Sequence, residues 1–501
     1  MPFGKKPPSR RGSLSDVPKD LLKQIERLEE IFMVKTDKLK EITDHFVGEL
    51  TKGLTVEGGD IPMNPTWCMG FPTGYEKGTY LALDMGGTNL RVCEVSLPEE
   101  KGEFQIIQSK YRMPEDLKTG TGEELWGYIA DCIHQFVEYH HEDEQDLETL
   151  PLGFTFSYPA TQEYIDHGVL QRWTKGFDIK GVEGTDVVPP FEAALQERGL
   201  PIKLAALIND TTGTLIASAY TDEKTKIGCI FGTGCNAAYM ENCGSIPKLA
   251  HMKLDPDTPM AINCEWGAFD NQHKVLPRTQ YDILIDKDSP RPGQQTFEKM
   301  VAGLYLGEIF RLVLVDLHQT QECLIFEGQD IGKLQKPYSL DSSFLSAIEE
   351  DPFENLSETE DLFQKHLSIT ATKPELELCR RLAELIGTRA ARLSACGVAA
   401  ICKKKGWTEC HVGADGTVFN KYPHFKARGA QALREIFEWK KGMKDPIVIN
   451  PAEDGSGVGA ALIAALTLKR IQEGNTAGIR DVKALIEGTA AQKAETDQVD
   501  E

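Results

Sequence analysis

Apolar residues recur every three to four positions from Pro18 to Lys52: Leu21, Leu22, Ile25, Leu28 and Ile31, then Leu39, Ile42, Phe46 and Leu50. That is the period of helices burying one face, and Thr36-Asp37 between the two sets predicts a break and a fresh cap. The Gly- and Pro-rich stretch 58–78 reads as a linker with a domain beginning after it. The period then changes: 79–83, 90–97 and 104–110 are rich in β-branched and apolar residues and predict strands. A helix is expected over 122–139, buried strands over 152–156 and 202–208, and a helix over 211–220. Long helical patterns occupy 296–317 and 374–405, and 447–449 followed by 455–468 is again strand, glycine turn, helix. Strands alternating with helices indicate an α/β fold. Two segments echo each other about 145 residues apart, each a glycine-rich turn between apolar strands: 80–97 with Gly86-Gly87-Thr88-Asn89, and 227–240 with Gly232-Thr233-Gly234-Cys235-Asn236. Two similar hairpins suggest two similar domains facing each other across a cleft; two unrelated hairpins would be the bland alternative.

Composition narrows the class. At 501 residues, 41% hydrophobic and 26% charged, the chain reads as soluble and globular, with two or three folding units. Fifty-five basic against 77 acidic residues give a net charge of −22. Such a surface repels phosphate backbones and anionic lipid, so neither nucleic acid nor membrane is an expected partner, although a local basic pocket could still take a phosphorylated small molecule. The apolar run 458–468 is too short for a membrane span. The basic start MPFGKKPPSRRGS has no apolar stretch behind it to make a secretory signal. Twelve scattered cysteines without a C-x-x-C pair suggest reduced thiols in the cytoplasm, which makes the N-x-[ST] triplets at Asn209 and Asn355 chance matches. Residues 1–17 read as a disordered basic arm and 476–501 as a polar acidic tail with one short helix.

Several segments could carry chemistry. In Asp84-Met85-Gly86-Gly87-Thr88-Asn89-Leu90-Arg91 the glycines allow close approach to an anion, and backbone N–H groups, the Thr88 hydroxyl and the Asn89 amide can hold phosphate oxygens. Asp84, ending an apolar strand, could organise Mg²⁺ through water; a ligand-free tight hairpin is the plainer reading. Gly232-Thr233-Gly234, Gly413-Ala414-Asp415-Gly416-Thr417 and Gly455-Ser456-Gly457-Val458-Gly459-Ala460 have similar turn chemistry. The last matches a dinucleotide fingerprint, but too little chain follows to build that fold. No P-loop and no protein-kinase motif set occurs. Asp210 falls where a strand gives way to a helix, so it is either an ordinary N-cap or a general base poised at a cleft. Ser157, Thr174 and Lys175 lie amid aromatics, as do the carboxylates Glu265 and Glu298. Acceptors beside aromatic faces suit a polyhydroxylated ligand.

Taken together and in order, the strings LGFTFSYPA, LQRWTKGFDI, ALINDTTGTL, INCEWGAFDN and RPGQQTFEKM resemble the hexokinase family of sugar kinases, within the actin/Hsp70-like ATPase superfamily, from about residue 18 to about residue 473. The basic arm followed by DVPKDL resembles the fungal members. The resemblance implies an α/β fold of two actin-like (ribonuclease H-like) lobes, each a mixed β-sheet flanked by helices, around a central cleft. Expected boundaries are 18–74 for a helical segment on the large lobe, 75–208 for the small lobe, 209–457 for the large lobe, and 458–475 for a helix returning to the small lobe.

The same resemblance implies residue roles. Asp84, Met85, Gly86, Gly87, Thr88, Asn89 and Arg91 would form the first phosphate loop, with Lys110 a nucleotide contact; Gly232, Thr233 and Gly234 would form the second. Gly413, Asp415, Gly416, Thr417, Ser456 and Val458 would line the adenosine pocket. Ser157, Thr174, Lys175, Asn209, Asp210, Asn236, Glu265 and Glu298 would hold the hexose, with Asp210 as base and Lys175 neutralising the moving phosphoryl group. The implied reaction is ATP- and Mg²⁺-dependent phosphorylation of glucose, fructose or mannose at the 6-hydroxyl, the first step of glycolysis, with domain closure on the sugar. The family's Ser-Phe-Pro and Glu-Tyr-Gly are Ser157-Tyr158-Pro159 and Glu265-Trp266-Gly267 here, swaps that spare the polar contacts. Ser13, in Arg10-Arg11-Gly12-Ser13, fits a basophilic-kinase site on an arm that could take regulatory protein partners, linked to glucose sensing and a partial nuclear pool. A monomer or homodimer is expected. A non-catalytic ATP-binding module, the competing class, would need the phosphate loops but not the sugar set.

Overall fold

The computed structural model describes residues 17–55, 59–141, 150–174, 176–200, 202–319, 324–452 and 454–486. The chain opens with α1 (Lys19–Phe32) and α2 (Thr36–Thr55), then β1 (Asn64–Met69). It continues through β2 (Gly78–Met85), β3 (Asn89–Leu97), β4 (Gln105–Arg112), α3 (Gly122–His140), β5 (Pro151–Phe156), the short hairpin β6 (Ala160–Thr161) and β7 (Val169–Leu170), α4 (Val188–Glu197), β8 (Lys203–Ile208) and α5 (Asp210–Thr221). The second half comprises β9 (Thr225–Phe231), β10 (Cys235–Asn242), β11 (Pro259–Asn263), α6 (Gln280–Asp288), α7 (Thr296–Val301), α8 (Gly303–Gln319), α9 (Gly332–Gln335), α10 (Ser342–Glu350), α11 (Ser357–Leu367), α12 (Lys373–Lys405), β12 (Cys410–Asp415), α13 (Thr417–Lys421), α14 (Phe425–Ile436), β13 (Ile447–Pro451) and α15 (Gly457–Gln472).

Two mixed sheets repeat one topology. In the first, β2, β3 and β4 form an antiparallel meander, and β5 and β8 add in parallel on the other side, giving the order β4-β3-β2-β5-β8. In the second, β9, β10 and β11 meander while β12 and β13 run parallel to β9, giving β11-β10-β9-β12-β13. The sequence echo is therefore structural: each glycine turn joins the first two strands of one sheet.

The sheets are tied together by exchanged helices. α5 leaves the first sheet and packs on β9, β10 and β12 of the second; α15 leaves the second and packs on β2, β5 and β8 of the first. Where the two helices meet, only glycine fits. A Cβ on Gly459 would overlap the Gly213 backbone, and one on Gly213 would overlap the Gly455 carbonyl.

Three departures from the sequence pattern have tertiary causes. The stretch 58–78 contains β1, paired antiparallel to β11 on the sheet edge, where Pro65 is tolerated and Trp67, Cys68 and Met69 are buried. The pattern at 296–317 is two helices, broken at Ala302 because the Gly303 N–H reaches the Gly232 carbonyl at 2.8 Å. Residues 476–486 of the expected tail dock on the protein: Ile479 and Leu485 are buried, and Asp166 accepts the N–H groups of Arg480 and Asp481 at 2.9 and 2.8 Å. Among the described residues one helix is long and apolar enough to cross a membrane, α12, and 89% of its apolar window is buried inside the protein; its scattered Arg, Glu and Lys residues leave no continuous apolar run in the sequence.

Candidate active site

Strand direction assembles the site. β2, β5 and β8 run parallel, so Asp84, Ser157 and Asn209-Asp210 come to the same C-terminal edge, with Asp84 in register with Thr155 and Thr155 with Ile208. In the second sheet β9, β12 and β13 likewise bring Gly232, Asp415 and Pro451 to one edge. Ligands of parallel α/β sheets bind at such edges.

Asp210 is not the N-cap of α5. Asn209 takes that role, its side-chain oxygen accepting the Thr211 N–H at 2.9 Å. Asp210 is the first helical residue, at the positive end of the helix dipole, and accepts the Thr211 hydroxyl at 3.2 Å. Capping therefore does not account for the aspartate, and its carboxylate is close enough to Glu265 to raise that group's pKa.

Across the cleft the acids are built into a network. Glu265 sits in the left-handed region at φ 57°. Its N–H donates to the Asn236 side-chain oxygen at 2.9 Å, and its carboxylate accepts from Asn263 at 2.9 Å and Asn236 at 3.2 Å. Asn236 in turn donates to Asn263 at 2.7 Å. Burial raises Glu265 above its ordinary value against the Asn263 hydrogen bond, and the Asp210 charge adds to the rise. Glu298 lies in the first turn of α7 and accepts the Cys235 N–H at 3.0 Å. Burial pushes it to about 7, opposed by that hydrogen bond and reinforced by Glu265. Arg172, from the opposite sheet's loops, lowers both acids, while burial and Arg291 lower its own pKa. Asn263 and Arg172 were not singled out from the sequence, although both lie inside strings that were: INCEWGAFDN and LQRWTKGFDI. Thr174 is half-buried, its carbonyl accepting the Phe177 N–H at 3.1 Å. Lys175 lies outside the described residues, as does Ser13.

The first turn has the form an anion cradle needs. The Gly86 N–H closes onto the Asn89 carbonyl at 3.0 Å, and the Thr88 carbonyl is held by the Met113 N–H at 2.9 Å. Gly87 is half-buried, Thr88 and Asn89 are exposed, and the Asn89 amide donates to the Thr88 hydroxyl at 3.2 Å. In the second turn Gly232 N–H donates to Gly234 O at 2.9 Å, and Gly232 and Thr233 carbonyls accept from the first residues of α8. Asp415 accepts from Gly416 N–H at 2.6 Å and Asn420 at 2.8 Å, and Thr417 opens α13 beside Gly416. Lys110 is exposed on β4, opposite Arg91 in register.

Five of the expected nucleotide contacts are buried or engaged within the protein itself. Met85 and Val458 are fully buried, so only their backbone could meet a ligand. Gly413 lies inside β12, where a Cβ would strike Ser218 of α5, which makes it a packing glycine. The Arg91 guanidinium is spent on protein: it donates to Asp454 at 2.5 and 2.9 Å, to Ser456 at 2.8 Å and to Asp84 at 3.4 Å. Ser456 donates to Asp84 at 2.7 Å, and its carbonyl accepts from Thr155 at 2.6 Å. Arg91 and Ser456 thus form a bolt between the sheets that fixes Asp84, with Asp454 its unanticipated member. Opposite charge separated by 363 residues leaves no local signal.

Asp84 offers its carboxylate beside the Ser456 hydroxyl, with the Asp454 carboxylate on the same Arg91 guanidinium, and among the described residues no group of three or more His, Cys, Asp or Glu side chains could hold an ion. That set fits a Mg²⁺ carried by phosphates and water rather than one caged by protein.

Two family profiles, both described as Hexokinase, match residues 24–220 and 226–466. The chain is 74% identical over 482 residues to a hexokinase of Emericella nidulans, covering 96% of this chain and 98% of that one. It is 55% identical over 482 residues to hexokinase-2 of Saccharomyces cerevisiae, covering 95% and 98%. The solved hexokinase of Schistosoma mansoni complexed with glucose aligns with a TM-score of 0.80 at 34% identity, over 89% of this chain and 99% of that one. Since the matches run through both sheets and both sets of strand-end loops, the chain belongs to the hexokinase family.

Proposed function

We infer that the cleft transfers the terminal phosphoryl group of ATP to the 6-hydroxyl of a hexose (glucose, fructose or mannose), with Asp210 as general base. ATP-dependent hexose phosphorylation is the activity of the family and the first step of glycolysis. The observation that carries the residue assignment is the division of labour at the start of α5: Asn209 caps the helix, so the Asp210 carboxylate is left at the strand edge within electrostatic reach of Glu265.

A primary alcohol is a poor nucleophile near neutral pH. Asp210 accepts its proton as the sugar oxygen attacks the terminal phosphorus, the bond to the bridging oxygen breaks, and ADP leaves; a positioned base contributes roughly 10²–10⁴-fold. Glu265, held by two asparagines, and Glu298, held by the Cys235 N–H, accept sugar hydroxyls in fixed directions. Ser157, Thr174, Asn209 and Asn236 supply neutral donors and acceptors. Backbone N–H groups of the 86–89 and 232–234 turns bind the phosphates, with Thr88 and Thr233 hydroxyls beside them. Mg²⁺, when bound, screens the charge of the terminal phosphates, and Asp84, steadied by Ser456 and Arg91, is the residue that would hold its water. By its place in the family string LQRWTKGFDI, Lys175 would neutralise charge on the moving phosphoryl group. Water is as small as the hydroxymethyl group, so closure on the sugar protects ATP from hydrolysis. We place the enzyme in the cytoplasm, a reading supported by eleven free, buried cysteines among the described residues.

Asp210→Ala should fold, bind glucose within a few-fold of wild type and lose nearly all hexose-dependent ADP release. Full turnover in that variant would remove Asp210 from the chemistry.

A further inference from the structure

Tyr158 follows Ser157, and its ring is locked. It is 3% exposed and packs against Phe156, Trp173 and Phe177, with centroids 4.9, 5.1 and 5.6 Å away. Its hydroxyl donates to the Gly86 carbonyl at 3.2 Å. Gly86 opens the turn whose N–H is tied back to Asn89, while Trp173 and Phe177 bracket Thr174. One side chain thus touches the 86–89 turn, adjoins Ser157 and supports the loop bearing Thr174. Phenylalanine, present in the family string Ser-Phe-Pro, would fill the same aromatic slot but could not donate to Gly86. Burial raises the phenol above its ordinary value, helped by nearby Asp84, so it stays a donor at neutral pH.

We propose that Tyr158 is a positioning residue for phosphoryl transfer: its hydroxyl tethers the 86–89 turn to the sugar-binding segments, so the grip on nucleotide depends on a side chain of the sugar site. The proposal rests on the reading of that turn as a phosphate loop. At 3.2 Å the bond is long for a hydroxyl donor, so losing it should loosen the turn without unfolding the sheet.

The test is Tyr158→Phe in the full chain, with steady-state KM for ATP and glucose, glucose Kd by intrinsic fluorescence without nucleotide, and the thermal midpoint. Expected is a KM for ATP raised about 2- to 10-fold, the range of one net hydrogen bond, with glucose Kd changed less than about twofold. An unchanged KM for ATP, or an equal weakening of glucose binding without nucleotide, overturns the tether, as does a lowered thermal midpoint with no change in KM. Thr88→Ala separates the two levels. If it raises KM for ATP while Tyr158→Phe does not, the tether alone falls. If neither variant raises it, the phosphate-loop reading falls as well.

Discussion

Glu298→Gln gives the most direct quantitative check on the cleft, because one group links stability, pH and sugar binding. The amide keeps the shape and can still accept the Cys235 N–H now seen at 3.0 Å. What it removes is the ionisation. In the folded chain the carboxyl is lifted from 4.5 to about 7, and at ~1.36 kcal/mol per tenfold this is worth about 3 kcal/mol. The sign follows from which state binds the proton. Below pH 4.5 the carboxyl is protonated whether the chain is folded or not, and Glu298 costs nothing. Between 4.5 and 7 the unfolded chain gives up the proton while the folded one keeps it, so wild type progressively loses stability as pH rises; above 7 the full penalty is in place. The Gln variant lacks this slope. In the absence of sugar it should be more stable than wild type at pH 8, by up to ~3 kcal/mol, with the advantage vanishing near pH 4.5. Denaturant melts of both proteins across that range measure the difference and cancel groups common to both. A constant difference at every pH would refute the buried-acid account. Binding should run the other way: glucose KM in wild type should rise as pH falls below 7, because the protonated carboxyl loses acceptor strength, whereas the variant's KM should be raised and nearly flat.

Two other outcomes follow from the architecture. Gly459→Ala places a methyl group inside the Gly213 backbone, so it should destabilise by about 1–3 kcal/mol, as overpacking does, lowering both thermal midpoint and kcat; a neutral effect in melts would mean the helices cross less closely than described. Glucose should reduce the radius of gyration in solution scattering, and an unchanged value would contradict closure on the sugar.

Much of this was legible in the chain. The repeat of strand, glycine turn and strand is a local pattern, and it marks the first hairpin of each sheet. Asp84, Ser157 and Asp210 each end an apolar run, and parallel pairing carries all three to one edge. What stayed hidden depends on contacts made only after folding. β1 is short, contains Pro65 and acquires its strand character by pairing with β11. Met85 and Val458 sit in turn-like strings, yet Met85 is buried in the core that α3 and α4 share with the first sheet, and Val458 in the core on the side of α15. Asn209 and Asp210 are both good capping residues, and sequence alone could not say which would take the Thr211 N–H.

The crossing of α5 and α15 explains why such distant segments act as one site. Asp210 lies three residues before Gly213, and Ser456 three residues before Gly459, so each is about one turn from the point where the helices touch. Side chains one turn from a pivot travel little when the bodies on either side rotate, whereas Glu265 and Glu298, carried beyond the far sheet on the turn after β11 and on α7, travel more. Closure about this crossing would therefore bring Glu265 and Glu298 toward an Asp210 carboxylate and an Asp84–Arg91–Asp454 bolt that hardly move. On the proposed role of Asp210, two glycines with no reactive group would become requirements of the chemistry, since a methyl group on either would push apart the crossing beside that carboxylate.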